Sequence, residues 1–311
     1  MSAPIDDPEE RFRRVFRAAH ADHARCAEDE WLMEPCRLPD GTPADRPVVW
    51  SRRNGPWRHT DVLWVGAAPG NAGGMGSGSM GAHGTRIPFG GDIAGGNLDV
   101  LLASAGLDRN RTYIVAALNQ LPERGGGEPR VGELRAPVGA LPSSLHLLRE
   151  TMLAAAPRLV VALGNVALRS TVAAARVEDK RRLTLPGLGR LEAAGLARGA
   201  LAEWPAGFRP DASFRAAWAS TGRTALPSLL WLLHPSAQNM SPYAGVDTVF
   251  HERMVETRDA LRRAVGALSR AEPPEPRPAP PTDGVYGLPE WRESIGPRHA
   301  ELAALWREKG V

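Results

Sequence analysis

Residues 234–243 read HPSAQNMSPY and follow the apolar run LPSLLWLL. A buried strand ends here on an imidazole, then a rigid proline, then hydroxyls and amides. Such a run offers hydrogen-bonding groups to something beyond the sheet. His234 can serve a reaction as donor or proton carrier, or it can be a satisfied structural group. The run DVLWVG leads into a second polar cluster, GAAPGNAGGMGSGSMGAHGTRIPFGGD, at 66–92. Its many glycines let backbone N–H groups approach a ligand, and phosphates are common ligands for such loops. The loop lacks a G-K-[ST] ending and a compact G-x-G-x-x-G opening a helix, so the usual nucleotide motifs do not match. A merely flexible glycine-rich loop is the competing reading. Asp92, at its end, can also N-cap the following segment. A third polar loop, NQLPERGGGEPR at 119–130, offers Asn119 and Gln120, amides that also suit turns and caps.

These loops need a frame. Four short runs, at 61–66, 112–118, 158–163 and 228–233, are almost continuously apolar, as strands buried on both faces are. Helical patterns lie between them at 95–106, 143–156 and 165–175, with a last helix at about 248–267. This alternation predicts an α/β fold, a three-layer α/β/α arrangement around a central, mostly parallel four-stranded sheet. Ligands of open parallel sheets bind at the carboxyl ends of the strands, where all three polar loops emerge.

The chain divides accordingly. Residues 1–60 hold an amphipathic helix over 8–28 and an irregular Pro/Arg/Trp-rich stretch packing on the core. The main domain spans 61–268, with an insertion at about 176–226. A Pro-rich linker follows at 269–284, and the tail 285–311 carries a short helix, either docked or mobile.

The chain has 311 residues, 43% apolar and 23% charged, with net charge +3. That is ordinary for a soluble protein and compatible with a polyanion partner. Its two cysteines, Cys26 and Cys36, cannot make a disulfide framework or a four-cysteine metal site. No apolar signal core or long apolar span is visible, so a cytoplasmic location is expected.

Taken in order, these segments resemble the uracil-DNA glycosylase superfamily. Gly66, Ala68, Pro69 and Gly70 match its G-x-A-P-G motif, PFGGD at 88–92 its P-F-x-G, and NLDVLLASAGL the helix after it. RLVVALGNVAL matches V-V-x-L-G-x-x-A, and HPSAQNMSP the histidine motif with its DNA-penetrating loop. The resemblance covers roughly residues 60 to 265 and is nearest to family 5, with family 4 features. Ala67 stands where family 4 carries glutamate, and His234 to Asn239 match H-P-S-x-Q-N. Families 4 and 5 usually hold an iron–sulfur cluster on four cysteines; with two, this chain is expected to carry no cofactor. The family's base-reading asparagine falls in register on Ala116, with Asn119 three residues later.

The resemblance implies a monofunctional glycosylase that flips uracil, or another deaminated or modified base, out of DNA and leaves an abasic site. It implies His234 as donor to the base O2, with Asp92 or Asn71 positioning water. Phe89 would stack on the base, Asn119 read its edge, and Ala68 and Gly70 line the pocket. Ser236, Gln238 and Asn239 would grip DNA, and Met240 to Tyr243 form the wedge. Arg52, Arg53, Arg58, Lys180, Arg181 and Arg182 are candidate phosphate contacts. DNA is the expected partner, no membrane is expected, and the protein is expected to be a monomer. A non-catalytic DNA-binding protein of the same fold and a nucleotide-binding α/β protein are the alternative readings.

Overall fold

The computed structural model describes residues 11, 14–15, 18–19, 36–37, 43–44, 61–68, 89–90, 93–107, 109, 112–118, 122, 128–178, 184–271, 286, 289 and 291–311. Its main elements, in chain order, are β1 Val62–Gly66, α1 Ile93–Ser104, β2 Thr112–Ala116, α2 Val131–Arg135, α3 Ser144–Ala155, β3 Leu159–Leu163, α4 Asn165–Ala174, α5 Leu188–Ala193, β4 Leu201–Ala202, α6 Ala212–Ala219, β5 Ser228–Leu232, α7 Val249–Ala271 and α8 Gly296–Glu308.

The four apolar runs become β1, β2, β3 and β5. Every residue of β1 and β3 is buried, which is why their sequences lack an alternating pattern. The sheet runs in the order β2-β1-β3-β5-β4. Pairs β1–β2, β1–β3 and β3–β5 are parallel, with Gly66 opposite Ala116 and Leu163 opposite Leu232. The carboxyl ends of these four strands therefore share one edge. Helix α4 packs on β1 and β3, α3 on β2, and α7 on β5. The protein is thus a mixed α/β fold on a mostly parallel sheet, as its sequence predicts.

Among the described residues the sheet has five strands rather than the expected four. β4 comes from the 176–226 insertion and pairs antiparallel with β5, Leu201 opposite Leu230 and Ala202 opposite Leu229. A two-residue edge strand, one residue exposed and one half-buried, carries no periodicity from which to predict it.

At the N-terminus, Arg11, Arg14–Val15 and Ala18–Ala19 are helical, and Val15 and Ala19 are buried. The rest of the expected helix over 8–28 lies outside the described residues. In the irregular stretch, Cys36–Arg37 pairs antiparallel with Pro43–Ala44. Helix α7 continues to Ala271, three residues into the expected linker, whose remainder lies outside the described residues.

The tail docks. Helix α8 lies along α1, with Trp306 fully buried and Leu302 7% exposed. Two glycines of α1 make room for this contact. A Cβ on Gly96 would sit 2.4 Å from Leu302 Cδ1, and one on Gly95 would sit 2.8 Å from His299 Cε1. Glycine inside a helix costs about 1 kcal/mol relative to alanine. Here it permits an approach that no other residue allows.

Candidate active site at the carboxyl edge of the sheet

The chain leaves β5 at Leu232 and makes one helical turn. The N–H groups of Asn239 and Met240 both donate to Ser236 O at 2.9 Å. Asn239 Nδ2 donates back to His234 O at 2.9 Å, closing the loop on itself. A second amide braces it from below. Asn97, fully buried on α1, donates from Nδ2 to Pro235 O and to Met240 O, each at 2.8 Å. Its Oδ1 accepts from Trp306 Nε1 of α8 at 2.6 Å. All three bonds are buried, where each missing partner would leave a polar group uncompensated.

The other half of the edge is built around Phe89. Its ring lies over Gly66 at the end of β1, so a Cβ there would be 3.3 Å from Phe89 Cε2 and Cζ. The ring centroid is 5.6 Å from that of His234, with the planes tilted by 37°. Phe89 holds φ at +51°, a left-handed conformation that costs a non-glycine residue about 1–3 kcal/mol. The surroundings hold it there. Arg109 Nη2 donates to Phe89 O at 2.9 Å, and Arg109 Nε donates to Asp99 Oδ1 at 2.6 Å. Asp99 Oδ2 in turn lies 2.5 Å from His299 Nδ1 on α8. The Arg109 guanidinium also lies 5.2 Å from the Trp291 ring. Both loops of the site are therefore held from behind by α1 and α8.

Beside His234 opens a cavity of about 400 Å³. Ile93 and Ala94 of α1, His234, Ser236 and Tyr243 of the loop, and residues of α8 line it. The volume suits a nucleobase-sized group, and the edge presents an aromatic ring beside an imidazole.

A family model described as the uracil DNA glycosylase superfamily matches residues 53–258. The chain belongs to that superfamily. No curated protein matches it. The matched span runs from before β1 into α7, and so includes both halves of the glycosylase edge. Helix α8 lies outside it.

The glycosylase edge brings together some of the expected residues. Phe89 and His234 are ring neighbours, and Ser236 and Tyr243 share the cavity with His234. Ala68 is half-buried just past β1. Ala116 ends β2 opposite Gly66, and the pairing continues as Leu118 N–H donates to Ala67 O at 3.0 Å. Gly70, Asn71, Asp92 and Asn119 lie outside the described residues, as do Arg52, Arg53, Arg58, Lys180, Arg181 and Arg182.

Met240 needs correction as a wedge. Its side chain is fully buried, and its carbonyl accepts from the buried Asn97. Tyr243, 70% exposed, is the side chain this loop presents instead. Asn239 spends its amide on the loop itself, while Gln238 is exposed.

The supporting residues Asn97, Asp99, Arg109, His299 and Trp306 are absent from the sequence-based expectations. One signal was available: Asn97 interrupts an apolar helical stripe with Leu98 and Leu101, and a polar residue there needs a partner. Among the described residues, no group of three His, Cys, Asp or Glu side chains converges to hold a metal, and no helix is long and apolar enough to cross a membrane.

Proposed function

We propose that the protein is a monofunctional DNA glycosylase that hydrolyses the N-glycosidic bond of uracil, or of another deaminated or modified base, leaving an abasic site. The reading rests on superfamily membership together with one observation: the Phe89 ring and the His234 imidazole stand 5.6 Å apart at the carboxyl edge, and His234 lines a cavity there. A glycosylase must take the nucleotide out of the stack, at a cost of a few kcal/mol. Phe89 would stack on the extruded base and Tyr243 would occupy the vacated place. As the bond from C1′ to the base breaks, positive charge grows on the sugar and negative charge on the base. His234 donates a hydrogen bond to the base O2, stabilising that anion; water adds to C1′, and the proton it gives up neutralises the departing base. Asp92 or Asn71 holds the water; an ionised Asp92 would also favour the cationic sugar. Asn119 reads the base edge, Ala68 and Gly70 line the pocket, and Ser236 with Gln238 contacts a phosphate.

Within the superfamily we read the chain as closest to family 5. We also read it as clusterless, since its two cysteines cannot supply four thiolates. We take residues 61–268 as the glycosylase-like domain and the whole protein as a cytoplasmic monomer.

The test is direct. Protein incubated with uracil-containing oligonucleotide, then treated with alkali, should give strand cleavage at the uracil. His234→Ala should lose about 10²–10³ in single-turnover rate and keep DNA affinity. No cleavage with uracil, hypoxanthine or modified cytosines at enzyme excess rejects the reading. One observation favours a second: Ala116 ends β2 where the superfamily carries its base-reading asparagine. A non-catalytic DNA-binding protein would then bind DNA with salt dependence and release no base.

A further inference from the structure

The cavity beside His234 has two walls of different origin. One is the 234–243 loop, ending on the exposed Tyr243 ring. The other is α8, which brings Arg298 and Glu301 to the same cavity although it lies beyond the matched residues 53–258. This wall is firmly seated. Leu302 sits against Gly96, the Trp306 indole is bonded to Asn97, and His299 is bonded to Asp99. Arg298 itself is exposed and has no hydrogen-bond or ion-pair partner among the described residues. The described residues around it do not use its charge, yet the helix beneath it is locked in place.

An arginine and an exposed aromatic ring lining one cavity form a pair suited to a single nucleic-acid strand. The ring stacks on a base, and the planar guanidinium takes a phosphate through two parallel hydrogen bonds. Glu301 lies three residues further along the helix and repels phosphate, so the favourable position lies at the Arg298 end. Resting on the glycosylase reading, we propose that α8 is the second wall of the nucleic-acid groove: Arg298 binds a backbone phosphate of the strand carrying the extruded nucleotide, next to the base that stacks on Tyr243.

The experiment measures affinity against salt concentration by fluorescence anisotropy. The probe is a labelled oligonucleotide with a non-cleavable abasic-site analogue. Losing one phosphate contact lowers the slope of log K against log salt by about 1. Arg298→Ala should show that decrease, and Arg298→Lys, which keeps the charge, should retain most of the slope. Arg215→Ala, on the exposed face of α6 away from the cavity, should match the wild type. If the wild type binds and Arg298→Ala keeps its slope, or if Arg215→Ala loses as much, the α8 groove is wrong and the glycosylase reading survives. If the wild type does not bind the oligonucleotide, both fall together.

Discussion

The Trp306 indole donates to Asn97 Oδ1 across 2.6 Å, and both side chains are fully buried. This one bond joins the C-terminal helix to the His234 loop, because Asn97 passes the connection on through its two N–H donors. Both polar atoms of the amide are engaged: Nδ2 donates to two carbonyls of the loop, and Oδ1 accepts from the indole. The histidine loop thus takes its position partly from a helix more than fifty residues downstream.

Trp306→Phe keeps most of the ring volume and removes the donor. Leaving Asn97 Oδ1 unpaired costs about 1–3 kcal/mol. Beyond that loss of stability, the slackened loop should lower the single-turnover rate of base release at a temperature where the variant is fully folded. An unchanged rate with a lowered melting temperature would restrict Trp306 to packing.

Asn97→Asp tests the same junction from the other side. A carboxylate there would face the carbonyl oxygens of Pro235 and Met240 in a fully buried site. Desolvation and those oxygens raise its folded-state pKa above the unfolded value. Stability is then retained at low pH and lost as pH rises through the folded pKa. Urea denaturation should find the variant closest to wild type in mild acid and furthest from it at neutral pH.

Gly95→Ala should be destabilising by about 1–3 kcal/mol, the usual range for overpacking. The added Cβ would lie 1.9 Å from Phe89 O, a backbone atom that Arg109 also holds. Gly132, in α2, has no heavy atom near its Cβ position and serves as the control. Gly132→Ala should be neutral or stabilising by about 0.5–1 kcal/mol. Equal denaturation midpoints for the two variants would contradict the close approach of α1 to the Phe89 loop.

His146 gives a pH dependence. Burial lowers its pKa below the ordinary histidine value; nearby Glu178 opposes this and Arg149 adds to it. The unfolded chain therefore takes up this proton at higher pH than the folded one. The stability it contributes is full above the unfolded pKa of about 6.5 and is lost as pH falls toward the folded value. His146→Gln removes the titration and can still bond Ser143 Oγ, which lies 2.8 Å from His146 Nδ1. Its melting temperature should fall less than that of the wild type as the pH goes from about 7.5 to about 5.5. Parallel curves would show that the imidazole is not strained by burial.

The amino-acid sequence alone determined the frame and the place of the site. Strands buried on both faces must be nearly all apolar, so β1, β2, β3 and β5 show as four uninterrupted runs, and the polar loops after them mark the carboxyl edge where the proposed site lies. His234 and Phe89 were readable because their motifs are local. Tertiary structure alone decided which side chains those loops present and what holds them. Met240 turned inward, Tyr243 stayed out, and a two-residue strand closed the sheet edge. The braces of the site join residues far apart in the chain: Asn97 and Pro235 are separated by 138 positions, Asp99 and His299 by 200, and Asn97 and Trp306 by 209. Periodicity reports only which face of an element is buried; the partner on that face is chosen by packing in three dimensions.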